Sequence, residues 1–188
     1  MLSFRLRSLF IAVGFIALLV GAVAIPATPR RLIATTRLRM AGCFAERNVL
    51  AVDFSRMSPR AKRIVTQEIR HFFPVSLTVI AFNDRELHSL AIPSVQRLTL
   101  HDAPLHDTDV LHGFTNLHRV TCIHMPFDDS DFRPSNIAQL FKNTRVDRLY
   151  FVECDIRAPD TFVTELKKLG LCAKNSGGDQ VSITRSMK

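Results

Sequence analysis

From residue 77 onward, apolar residues recur in one spacing, L-x-x-L-x-L-x4-L-x4-L, where L stands for any apolar side chain. Val95, Leu98, Leu100, Leu105 and Val110 fill one copy, and Leu117, Val120, Cys122, Phe127 and Phe132 fill the next. Leu77, Ile80, Phe82, Leu87 and Ile92 form an earlier copy. Val146, Leu149, Phe151 and Ile156 form a later one, with Phe162 one place late. Val49, Val52 and Phe54 begin a weaker copy, in which Pro59 takes the place of the fourth apolar residue. Apolar residues at i and i+2 share one face of a strand. The two later positions bring the chain back over that face, so each copy is one open coil. A single coil cannot bury its own apolar face, and stacked coils bury a continuous one. The pattern predicts parallel strands at 49–55, 77–83, 95–101, 117–123 and 146–152.

Between the strands the periodicity lengthens. Ser58 is placed to cap a helix that Pro59 opens, over the run beginning at Arg60, with Ile64, Ile69 and Phe72 on one side. Asp160 is expected to precede a helix over 161–169 that Gly170 stops. The returns beginning at Asp107 and Asp131 look shorter. Residues 174–179 read as a turn and 181–184 as a strand, together a cap over the last apolar face.

The repeat resembles leucine-rich repeats in a degenerate form, over residues 49–163. Its fourth template positions, Val52, Ile80, Leu98, Val120 and Leu149, lie 28, 18, 22 and 29 residues apart, around the 20–29 of that family. The family's Asn-or-Cys position falls at Arg85, Ala103, Met125 and Cys154, and only Cys154 matches. The resemblance implies an α/β solenoid with a parallel sheet of about five strands and a general interaction role, without naming a partner.

Upstream, Ser8 to Ile25 holds 18 residues with no charge, after Arg5 and Arg7 and before Pro26. That length is near the minimum for a helix crossing the bilayer. The expected organisation is an N-terminal transmembrane anchor or signal segment at 1–27, a basic linker at 28–45 and a repeat domain with its cap at 46–188. The expected location is a single-pass membrane protein with its C-terminal domain extracytoplasmic. The alternative is secretion after cleavage near Ala24, at the triplet Ala22-Val23-Ala24.

Charge refines this picture. The chain has 188 residues and a net charge of +8. Residues 1–76 carry 12 basic and 3 acidic residues, and residues 77–188 carry 13 and 14. The excess thus lies beside the apolar segment, as for a membrane surface, and no nucleic-acid partner is expected of the body. With 47% apolar and 22% charged residues, wholesale disorder is excluded. Cys43, Cys122, Cys154 and Cys172 are too few for a disulfide scaffold.

Two constellations carry candidate chemistry. Arg97, Arg119 and Arg148 occupy one template position in three copies, and Thr99, Thr121 and Tyr150 occupy the position two residues on. Stacked on an exposed sheet face, the guanidiniums form a strip suited to carboxylates or phosphates. Against it stands a solvated face relieved by Asp102, Asp147 and Glu153. Six of seven histidines fall between His88 and His124: His88, His101, His106, His112, His118 and His124. The template aims them in different directions, so no metal ligands and no cofactor are assigned. Cys122 and Cys154 read as packed thiols, Asp128, Asp129 and Asp131 as a solvated turn, and Gly177-Gly178 lacks the following Lys of a phosphate loop. With no nucleophile–base motif such as G-x-S-x-G, the chain is not expected to be an enzyme. The functional expectation is a membrane-tethered binding or scaffolding module for a protein partner. The alternative is an exported ligand- or metal-binding protein that uses the His88–His124 cluster.

Overall fold

Every second residue of the repeat strands is buried, and this alternation sets the layout of the computed structural model. It describes residues 27–127, 130–177 and 180–186. The apolar segment 8–25 with its Ala22-Val23-Ala24 triplet, Asp128, Asp129 and Gly178 lie outside the described residues. Among the described residues no helix is long and apolar enough to cross a membrane.

The chain runs α1 (Ala27–Met40), β1 (Phe44–Glu46), β2 (Val49–Asp53), α2 (Pro59–Phe72), β3 (Ser76–Ile80), α3 (Asp84–Ser89), β4 (Arg97–His101), a 3-10 turn (Thr108–Gly113), β5 (Arg119–Ile123), α4 (Pro134–Asn143), β6 (Arg148–Val152), α5 (Pro159–Lys168), β7 (Leu171–Gly177) and β8 (Gln180–Arg185). Among the described residues the sheet has eight strands in the order β1-β2-β3-β4-β5-β6-β8-β7. Strands β2 to β6 are parallel neighbours in chain order, and β1, β8 and β7 add antiparallel edges. The fold is therefore α/β on a mixed, mostly parallel sheet.

Two columns run through the core in register. Leu50, Leu77, Leu98, Val120, Leu149 and Ile183 form one, and Val52, Val79, Leu100, Cys122, Phe151 and Val181 form the other. All twelve are buried. This register corrects two copies of the template. Leu77, not Ile80, stands beside Leu98, and Leu50, not Val52, stands beside Leu77. Ile80 faces outward beside His101. The cause is a double signal: Leu77/Val79 and Ile80/Phe82 are both apolar pairs at i and i+2, and only neighbouring strands choose between them.

The residue after each of β3 to β6 adopts a left-handed conformation: Ala81 (φ 51), Asp102 (φ 56), His124 (φ 51) and Glu153 (φ 53). The amides of Ala81, Asp102 and His124 donate to His101, Ile123 and Val152 carbonyls, extending the ladder by one bond. The next residue then turns inward, and Phe82, Ala103, Met125 and Cys154 are buried. With the register corrected, Phe82 replaces Arg85 at the Asn-or-Cys position. Where the resemblance leads one to expect asparagine, these turn positions hold apolar side chains, and the Cys154 thiol donates to the Cys122 carbonyl at 3.4 Å.

The helices show further differences from expectation. α2 starts as predicted, with the Ser58 hydroxyl accepting from the Ala61 amide. Its buried side is Val65, Ile69 and Phe72, while Ile64 is half-exposed. α3 carries a capping box between Asn83 and Glu86. The Asp131 return holds a ten-residue helix, α4, as long as α5. Arg133 gives α4 no side-chain cap, so its start carried no signal. α5 begins at Pro159 after a left-handed Ala158, which puts Asp160 inside the first turn. The segment 28–45 is not a linker: α1 buries Ala34 and Leu38 in the core, and Arg37 Nη1 pairs with Glu68 Oε1 at 2.5 Å. Residues 174–177 belong to strand β7, so the cap is a sheet-continuing hairpin.

Gly113 ends the 3-10 turn close against Ala91. A Cβ added there would lie 2.8 Å from Ala91 Cβ, a rigid atom on a half-buried residue. Gly113→Ala should destabilise the fold by about 1–3 kcal/mol through overpacking, read as a lower urea midpoint. An unchanged midpoint would show that the turn relaxes freely.

Candidate functional site

Parallel pairing builds the outward face from equivalent residues. Arg97 pairs with Arg119 and Arg119 with Arg148, while Thr99 pairs with Thr121 and Thr121 with Tyr150. The structure thus brings all six sequence-predicted residues into two adjacent rows. Neighbouring strands lie ~4.8 Å apart, so three guanidiniums start from backbones within about 10 Å of one another. Arg97 and Arg148 are exposed, and Arg119 and the hydroxyl row are half-buried.

The strip is held loosely. Arg119 lies over the Tyr150 ring, 5.7 Å from its centroid, a cation–π contact that stiffens the side chain. Arg148 Nε is 3.9 Å from Asp147 Oδ1, and His118 Nδ1 is 4.0 Å from the other Asp147 oxygen. Gln96, Arg97, His118, Arg119, Asp147 and Arg148 line a shallow depression at the N-terminal ends of β4 to β6. Of the three acids expected to relieve the arginines, Asp147 alone pairs with one. Asp102 and Glu153 turn to histidines at the other end of the strands.

The histidines divide. His118 immediately precedes β5, and His112 stays on the 3-10 turn beside Asp109 at 3.6 Å. His106 lies on the return, where its amide donates to Asp84. His101 and His124 converge instead, with ring centroids 5.8 Å apart and edge-on. Their convergence depends on the left-handed turn at His124, and the sequence offered little to show it beyond the readiness of His and Asp for that region.

The thiols are free: Cys43, Cys122 and Cys154 are buried and Cys172 is exposed. Burial pushes the Cys43 thiol up to about 12 and the Cys122 thiol well above its ordinary range, with Cys154 beside Cys122 adding to the latter. Burial also raises Cys154, partly offset by backbone hydrogen bonds from Met125 and Val152. A thiol held protonated is a poor nucleophile, which accords with packing roles for these three. The chain matches no protein-family model, and it matches no curated protein.

Proposed function

We infer that the chain is a small leucine-rich-repeat-like solenoid, tethered to a membrane through residues 8–25, that receives an acidic segment of a protein partner on its open sheet face. The extracytoplasmic side is the proposed location of the domain. The observation that carries the reading is the register that places Arg97, Arg119 and Arg148 side by side with one carboxylate, Asp147, against them. Guanidiniums grip carboxylates bidentately, and Thr99, Thr121 and Tyr150 add hydroxyls one step along the strands. A repeat sheet offers extended surface rather than a closed pocket, which suits recognition of a chain segment more than turnover of a small substrate.

The test is capture from membrane extracts with the full chain in detergent. Arg97→Glu, Arg119→Glu and Arg148→Glu together should remove the captured proteins, and capture by the natural chain should weaken as salt rises. Arg60→Glu with Arg63→Glu, an equally exposed pair on α2, should leave capture intact. An unchanged partner set in the triple variant, or equal loss in the α2 pair, overturns the reading. Surface changes of this kind move stability within about ±0.5 kcal/mol, so a melting curve separates misfolding from lost binding.

A further inference from the structure

The strands β4, β5 and β6 end in a second cluster, at the opposite end of the sheet from the arginines. His101 is the last residue of β4, and Asp102, His124 and Glu153 are the left-handed residues that follow β4, β5 and β6. His101 Nδ1 lies 3.8 Å from Asp102 Oδ2, and His124 Nδ1 lies 3.8 Å from Asp102 Oδ1. One atom from each of these three residues falls within 4.8 Å of the others. The second ring nitrogen of His124, Nε2, is bonded to Glu153 Oε2.

We propose that His101, Asp102 and His124 bind a divalent transition-metal ion of the zinc class, with Glu153 as a positioning residue behind His124. Two imidazoles and a carboxylate are the donors such ions favour. Donors 2.0–2.2 Å from a tetrahedral zinc sit about 3.3 Å from one another. Closing the site therefore draws the carboxylate and rings together by about 0.5 Å, and the widest pair by about 1.5 Å. The side chains have room for this: His101 is 25% exposed and the other two about half. Glu153 supplies what a loose pair of surface histidines lacks. By accepting a hydrogen bond from Nε2–H it leaves the Nδ1 lone pair of His124 facing Asp102, the carboxylate–histidine–metal relay that tunes metal sites. Three protein ligands leave a fourth position for water.

Zn²⁺ titration by calorimetry and Co²⁺ absorption on the full chain in detergent test this, with Cys172→Ser in the background to remove the exposed thiol. One ion should bind with a Kd below ~10 μM, and cobalt should show the visible bands of a four-coordinate site. Asp102→Asn and His124→Asn keep residue types that tolerate the left-handed turn. Each should weaken binding by more than about 100-fold, a larger loss than the roughly 10–100-fold expected of Glu153→Gln. His112→Ala should change nothing. Failure to bind one ion in that range, survival of binding in both Asn variants, or loss in His112→Ala overturns the site.

Discussion

Replacing Phe151 by alanine should cost about 3–5 kcal/mol and lower the melting temperature by roughly 6–20 °C. Phe151 is fully buried on β6, in the inner column between Cys122 and Val181. Phe132, Phe127 and Phe162 surround it edge-on, with centroids 5.1, 5.2 and 6.2 Å away. Phe127 and Phe132 follow β5, Phe151 lies on β6 and Phe162 on α5, so the cluster adds to the ladder in joining two successive strands and their returns. Truncation removes the transfer free energy of the ring, leaves a cavity, and ends three contacts worth about 0.5–1.5 kcal/mol each beyond area. The total is a large part of the ~5–15 kcal/mol that holds a domain together. Phe151→Leu should retain most of the stability because much of the volume stays. Tyr150→Ala, one residue away on the open face, should cost far less. Equal losses at 150 and 151 would mean that the outward face is covered, which would also remove the surface on which the arginine strip depends.

That contrast between adjacent residues is legible in the sequence, because Leu98/Leu100, Val120/Cys122 and Leu149/Phe151 allow one inward face only. The same pairs fixed Arg97, Arg119 and Arg148 to the other face. Legibility failed where local signals were double or missing. Val52/Phe54 and Ile80/Phe82 imitate the inward pair, so two coils were placed two or three residues out of register. Asn83 and Glu86 spell a capping box in the sequence, yet the helix they start is only six residues long and lies inside a copy of the template. α4 had no cap to announce it. The histidine cluster was hidden for a different reason. His101 and His124 are 23 residues apart, and they meet because the ladder pairs His101 with Ile123 and the next residue turns left-handed. Of the four left-handed residues that follow β3 to β6, Asp102 and His124 belong to types enriched there, whereas Ala81 and Glu153 do not. Equivalent positions in a stack become neighbours only once the register is known. One register thus creates both the arginine strip and the histidine–carboxylate cluster, at opposite ends of the same strands.

Alkaline conditions should unfold the domain through its cysteines. Burial pushes the Cys43 thiol up to about 12, and it raises Cys122 and Cys154 as well. The folded chain keeps these protons at a pH where the unfolded chain releases them, so the unfolded state is favoured increasingly as pH rises. The stability from burying neutral thiols is complete below about pH 8.5, the ordinary range of an unfolded thiol. It is then lost as pH climbs towards the folded values. Each thiol contributes a slope of at most about 1.4 kcal/mol per pH unit. Cys122, with no exposed surface, should show nearly the full slope. Cys43, whose thiol stays protonated up to about 12, should show it as well, and Cys154, raised by burial but lowered by backbone hydrogen bonds, adds in the same direction. Between pH 9 and 10.5 all three thiols lower the stability in the same direction. Urea midpoints measured under reducing conditions across that interval give the slope directly. The decisive comparison is a chain with Cys43→Ala, Cys122→Val and Cys154→Ala. That chain should lose most of the alkaline slope even if its stability at pH 8 is lower. An equal slope in both chains would assign the alkaline loss to other groups. The same burial predicts that a thiol reagent at pH 8 modifies Cys172 rapidly in the folded chain and reaches the other three only after denaturation.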